Sequence, residues 1–160
     1  MNLGLLVIVD GAVWAGWSAV VGLRAARLPR RALDHDTWLT RARRWERKGR
    51  WYEHLRIRSW KDRLPEAGGW FGGRSKRHLD GSSRSEDVLR TFAAETRRAE
   101  LVHWAILVAA PLFILWNPPA LFAAMVGYAL VANLPCIAIQ RYNRARIRRV
   151  LDRRRAAVPA

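Results

Sequence analysis

Glu100, His103 and Trp104 lie three and four residues apart, so on a helix they share one face, with Thr96 a turn below Glu100. Imidazole titrates near neutral pH, which makes His103 the candidate general base for a hydroxyl group. Glu100 is expected to orient it and stabilise the imidazolium. A second polar stripe follows: Asn133 and Gln140 are two turns apart, and Asn143 and Arg144 come three and four residues later. Asn133 or Gln140 can donate to an oxyanion. Arg144 can hold a phosphate or carboxylate, and Arg141 adds a headgroup contact. Lys76 and Arg77 follow the glycine pairs Gly68-Gly69 and Gly72-Gly73, where backbone and basic side chains can cradle a phosphate. No phosphate-loop spacing is present there, so a solvated linker is the competing reading. His35, His54, His78 and His103 are scattered, and no metal-ligand spacing is found. Cys136 has no activating neighbour in sequence and reads as a packing residue rather than an acyl-carrying nucleophile.

The elements that must carry these residues follow from charge distribution. The net charge is +16, and all 29 Lys and Arg residues lie in 24–98 or 141–155. Between Leu101 and Ile139 there is no Asp, Glu, Lys or Arg. Confinement of cations to the flanks of apolar runs marks membrane spans with basic loops on one side, and argues against a nucleic-acid partner. Residues 2–23 are apolar apart from Asn2, Asp10 and Ser18, and positive charge begins only after them, at Arg24. That order predicts an uncleaved span with its N-terminus outside. The fold class expected is an all-α integral membrane protein with about three transmembrane helices, 2–23, 101–116 and 120–139. These form one membrane domain over 1–160: a first span (1–23), a cytoplasmic or interfacial part (24–100), a helical hairpin (101–139) and a basic cytoplasmic tail (140–160). The hairpin turns at Asn117-Pro118-Pro119, so the two polar clusters meet at one membrane face. Its first arm is short, about 24 Å at ~1.5 Å per residue, so the hairpin either spans fully or is re-entrant.

Local signals fill in the rest. Asp10 lies well inside the first span, either protonated or water-accessible near the surface, or in polar contact within the bundle. Pro29 ends or bends the first helix. Trp38, Trp45 and Tyr52 recur every seven residues among arginines, predicting a basic amphipathic helix over 37–60 in the membrane interface. Ser83 and Glu86 read as a capping box opening a helix that runs to Trp116. Glu95 and Arg98 read as an i,i+3 pair. Pro111 is expected to kink that helix, and Pro135 to loosen the next one near the polar stripe.

The motifs Trp60-Lys61, Lys76-Arg77-His78-Leu79, Glu95-Thr96-x-Arg98-Ala99-Glu100-x-x-His103-Trp104, Asn133-x-Pro135 and Gln140-Arg141-Tyr142-Asn143-Arg144-x-Arg146 occur in this order. The chain thereby resembles the glycosyl-4,4′-diaponeurosporenoate acyltransferase family over roughly residues 40–150. The resemblance implies a small multi-pass protein of the cell membrane. Its implied activity is transfer of a fatty acyl group to a sugar hydroxyl of a glycosylated carotenoid acid or a similar glycolipid. It implies no resident cofactor, and an acyl donor, for which acyl-CoA is one candidate, as co-substrate. The partners implied are the bilayer, the glycosylated lipid or carotenoid acceptor and that donor, with no nucleic acid. Two other readings compete: a non-catalytic assembly or lipid-binding protein, and another small membrane lipid transferase.

Overall fold

The fold is given by a computed structural model, which describes residues 2–64 and 85–157. The described residues form five α-helices and four 3-10 segments and contain no strand. Three helices are long and apolar enough to cross a membrane. The chain is an all-α membrane protein, as its apolar runs predict.

The first helix, α1, spans Leu3–Ala26. Asn2 caps it by accepting from the Leu5 N–H at 2.9 Å. Its far end is closed by Arg98, which donates to the carbonyls of Ala25, Ala26 and Leu28, satisfying oxygens that have no partner within the helix. Arg98 also meets Glu95 at 3.2 Å, the i,i+3 pair expected. Pro29 stands as N-cap of a 3-10 turn, Arg30–Leu33, rather than inside a helix. Asp10 is buried and accepts from Trp116 Nε1 at 2.7 Å and Asn117 Nδ2 at 2.9 Å. Of its two readings, the structure selects polar contact within the bundle. This ties α1 to the hairpin tip.

The Trp-rich basic segment is helical in pieces rather than along one axis. A 3-10 segment at Arg44–Gly49 is followed by α2, Trp51–His54, and α3, Ile57–Trp60. Two left-handed residues make the breaks: Gly49 at φ 90° and Arg56 at φ 50°. At Gly49 the reason is double, because a Cβ there would also come within 2.8 Å of Ala145 Cβ. The bare backbone lets this segment lie against the last helix. The seven-residue aromatic period therefore does not give one side. Trp38 and Trp45 are 71% and 52% exposed, whereas Tyr52 is 2% exposed and packs with Ile57, Ile139 and Tyr142.

Helix α4 spans Glu86–Ala109 and is capped by Ser85, which accepts from Val88 N–H, with Glu86 and Asp87 in its first turn. Ser83 lies outside the described residues. At Pro111 the chain tightens into a 3-10 segment, Ala110–Leu115. Helix α5, Pro119–Ala156, continues unbroken through Pro135 and past the apolar run. Helices α4 and α5 thus form an antiparallel hairpin, and α1 packs on α4, where Trp17 Nε1 donates to the Ala105 carbonyl at 3.2 Å. Trp14 stacks against Phe113 and Tyr128. The continuation of α5 beyond residue 140 carries the arginines of the polar stripe alongside the first half of α4.

Candidate functional site

Asn133 and Arg144 are eleven residues apart on α5, close to three full turns, so both face α4. Opposite them stand His103 and Glu100. His103 Nδ1 lies 2.9 Å from Asn133 Oδ1, and Asn133 Nδ2 donates to the Ala129 carbonyl at 2.9 Å. That second bond fixes the amide orientation, so an acceptor faces the imidazole. Nδ1 must then carry the proton, and Nε2 keeps its lone pair.

Glu100 does not contact His103. It is 0% exposed and fully engaged elsewhere. Oε1 accepts from Arg141 Nε at 2.6 Å and Trp104 Nε1 at 3.3 Å, and Oε2 accepts from Arg144 Nη2. Arg141 also reaches Glu46 and the Leu39 carbonyl, and Arg144 reaches the Thr40 carbonyl. Glu46 further accepts from the Arg43 backbone N–H at 3.2 Å. Beside this group, Asp36 accepts from Arg97 Nε at 2.7 Å and from Arg148. Three carboxylates and four guanidiniums thus join both long helices to residues 33–49, leaving one excess positive charge. Burial pushes the Asp36 carboxyl up, but the bonds and charges of Arg148 and Arg97 outweigh it and hold it below the usual carboxylate range. Burial, then the Glu46 charge, pushes the Tyr52 phenol well above its ordinary value.

Two donors in this cluster are unmatched. Asn143 Nδ2 and Arg144 Nη1 are buried, with no hydrogen-bond partner among the described residues. Buried polar groups are almost always paired, so such a pair of donors marks a place where an oxygen from elsewhere can sit. Gln140 is half-buried, and none of the described side chains hydrogen-bonds to it. Asn133 accepts from His103 at Oδ1 and gives one of its two amide hydrogens to the Ala129 carbonyl. Lys76 and Arg77, with the Gly68–Gly73 stretch, lie outside the described residues.

A cavity of about 700 Å³ opens beside the cluster. Trp38, Trp45, Trp51, Tyr52, Trp60 and Trp104 supply its aromatic wall, and Leu134, Pro135, Ile137 and Ala138 of α5 its aliphatic one. The charged side chains in the wall are Arg43 and Arg141. Trp104 and Arg141 both line it and both donate to Glu100, so the cavity borders the cluster there.

Glu46, Asp36, Arg97 and Arg148 are the members of the cluster that sequence reasoning missed. For Glu46 a signal existed: it is the one carboxylate in residues 37–52, amid five arginines and a lysine. A lone acid in so basic a run has a reason to be paired. Among the described residues no group of three or more His, Cys, Asp or Glu side chains could hold a metal ion.

A family model described as glycosyl-4,4′-diaponeurosporenoate acyltransferase matches residues 35–153. A protein of that name from Staphylococcus haemolyticus is 35% identical over 150 residues, 92% of this chain and 84% of its own length. One from Staphylococcus aureus is 31% identical over 130 residues, 78% of this chain and 75% of its own length. No solved structure matches. With three-quarters of its length and every element of the polar cluster inside the match, the chain belongs to the glycosyl-4,4′-diaponeurosporenoate acyltransferase family.

Proposed function

We propose that this membrane acyltransferase esterifies a sugar hydroxyl of a glycosylated carotenoid acid or a closely similar glycolipid, with His103 as the general base. The observation that carries the reading is the hydrogen-bond chain from His103 through Asn133 to the Ala129 carbonyl, which leaves Nε2 free to accept a proton. As the sugar oxygen attacks the acyl carbonyl carbon, Nε2 takes the hydroxyl proton. The new C–O bond forms, the bond to the leaving group breaks, and the proton passes to that leaving group. Asn133 is the positioning residue, the role that the sequence suggested for Glu100.

Glu100 instead holds Arg141 and Arg144 in place from within the protein. Asn143 Nδ2 and Arg144 Nη1 then supply donors to substrate oxygens, with Gln140 as a further donor to the oxyanion. Glu100 is one turn from His103 on α4, about 4.5 Å of helix rise, and Arg144 reaches the level of Glu100 through its side chain. Lys76 and Arg77 would add positive charge near the donor's anionic part. No resident cofactor is needed, since the acyl donor brings the activated carbonyl.

The basic clusters at the ends of α1 and α5 and at the start of α4 favour the cytoplasmic side of the cell membrane under the positive-inside rule, with the N-terminus outside. A sugar head can then rest among the arginines while lipid tails remain in the bilayer. The test is direct. Membranes containing the protein, given glycosylated carotenoid acid and an acyl donor, should form the sugar ester, and control membranes should not. Equal ester in both would reject the reading.

A further inference from the structure

We infer that the Trp-walled cavity is a site for one apolar chain carrying a negatively charged head, and that Arg43 receives the head. The wall is mainly aromatic and aliphatic, and the charged groups that described residues bring to it are Arg43 and Arg141. These two cations are not alike. Arg141 is spent on Glu100 and Glu46. Arg43 makes no ion pair with any described residue: its Nη2 donates to the Trp38 carbonyl at 3.0 Å, and its guanidinium lies over the Trp38 ring at 5.1 Å. Its Nε and Nη1 hydrogen-bond to none of the described residues.

The wall decides the tail and Arg43 decides the head. The cavity volume, about 700 Å³, is that of a small-molecule site rather than a packing defect. A sugar would require several polar partners, and besides the two guanidiniums the wall offers the Tyr52 hydroxyl and indole N–H groups, of which those of Trp60 and Trp104 are spent on the Leu55 carbonyl and Glu100. Trp45 and Trp51 meet edge to face at 5.0 Å, and Trp51 and Tyr52 at 5.3 Å, so the rings brace one another. Leu134 and Pro135 belong to the apolar run of α5 and Arg43 to the basic segment, so a chain lying in the cavity has its tail at membrane depth and its head among cations. An unpaired guanidinium at the polar end suits a phosphate or carboxylate. The fitting ligand is a fatty acyl chain with an anionic head, which arrives either as a soluble acyl thioester or as an anionic phospholipid of the bilayer. Its assignment as the acyl donor rests on the acyl-transfer reading; the binding itself does not.

The probe is trans-parinaric acid, a conjugated fatty acid that accepts energy from tryptophan, added to the full chain in phosphatidylcholine nanodiscs. Wild type should quench saturably. Arg43→Gln should weaken that binding about 10- to 100-fold, the range of a charge-assisted hydrogen bond, and leave binding of the neutral methyl ester unchanged. Ala138→Leu, which narrows the cavity, should weaken both ligands. Leu134→Phe does the same from a more exposed position and covers the case where Ala138→Leu does not fold. Competition by palmitoyl-CoA or by phosphatidylglycerol supports the site and identifies the soluble or the bilayer source respectively. Competition by neither, or Arg43→Gln binding the acid as tightly as wild type, overturns it. Ester formation is measured on the same samples: binding without transfer counts against the acyl-transfer reading alone, and transfer with unchanged Arg43→Gln binding counts against this inference alone.

Discussion

Asn133 Oδ1 accepts a hydrogen bond from His103 Nδ1–H across the α4–α5 interface, and a backbone carbonyl one turn back on α5 holds the Asn133 amide in that orientation. The direction of a base positioned in this way is set by two helices packed together rather than by a loop. The expected consequence is specific to kcat. Asn133→Ala should lower kcat, by less than the ~10²–10⁴-fold cost of removing a base outright, and leave KM nearly unchanged. Steady-state kinetics in nanodiscs would check this.

Glu100 should behave differently, as a structural anion. Glu100→Gln leaves Arg141 and Arg144 buried beside each other with less compensation. Breaking one partner out of a buried ion pair costs about 3–5 kcal/mol. The thermal midpoint in detergent should fall clearly, and the Glu100→Gln/Arg144→Gln double variant should recover part of the loss.

Asn143→Ala separates binding from folding. The Asn143 amide nitrogen has no partner among the described residues, so truncation removes no internal bond at that atom. The midpoint should be unchanged, while apparent KM rises about 2- to 10-fold, the worth of one neutral hydrogen bond.

Asp36 gives a pH signature outside the spans. Its carboxyl is held below the usual range by Arg148 and Arg97, overcoming burial. A depressed folded pKa contributes stability that is fully present above the unfolded value, near ~3.9, and that is lost as pH falls through the folded value. Asp36→Asn should therefore lower stability at neutral pH and flatten acid unfolding below about pH 4. Equal acid slopes for both proteins would contradict this.

Much of the bundle is legible in the sequence, because lipid imposes simple demands. A helix must satisfy its own backbone in the bilayer, so an uncharged run such as Leu101–Ile139, punctuated by Asn117-Pro118-Pro119, reads directly as a hairpin. Helical spacing also puts His103, Asn133, Glu100 and Arg144 on facing sides before any coordinates. Which side chain meets which is a different matter. Spacing places Glu100 and His103 on one face but cannot say that Arg141 and Arg144 outcompete the imidazole for the carboxylate. The aromatic period over 37–60 misleads for a local reason: Gly49 and Arg56 turn left-handed, so residues seven apart no longer share an axis. Glu46 and Asp36 reach the cluster through tertiary contacts that no periodicity encodes.

The central claim is that His103 is the base, and its most direct test is ester formation by His103→Ala in membranes, normalised to folded protein on the same samples. The claim predicts a ~10²–10⁴-fold fall in turnover at unchanged protein level and an unchanged thermal midpoint. Wild-type turnover in His103→Ala would contradict it, and so would a loss of activity that simply tracked a loss of folded protein.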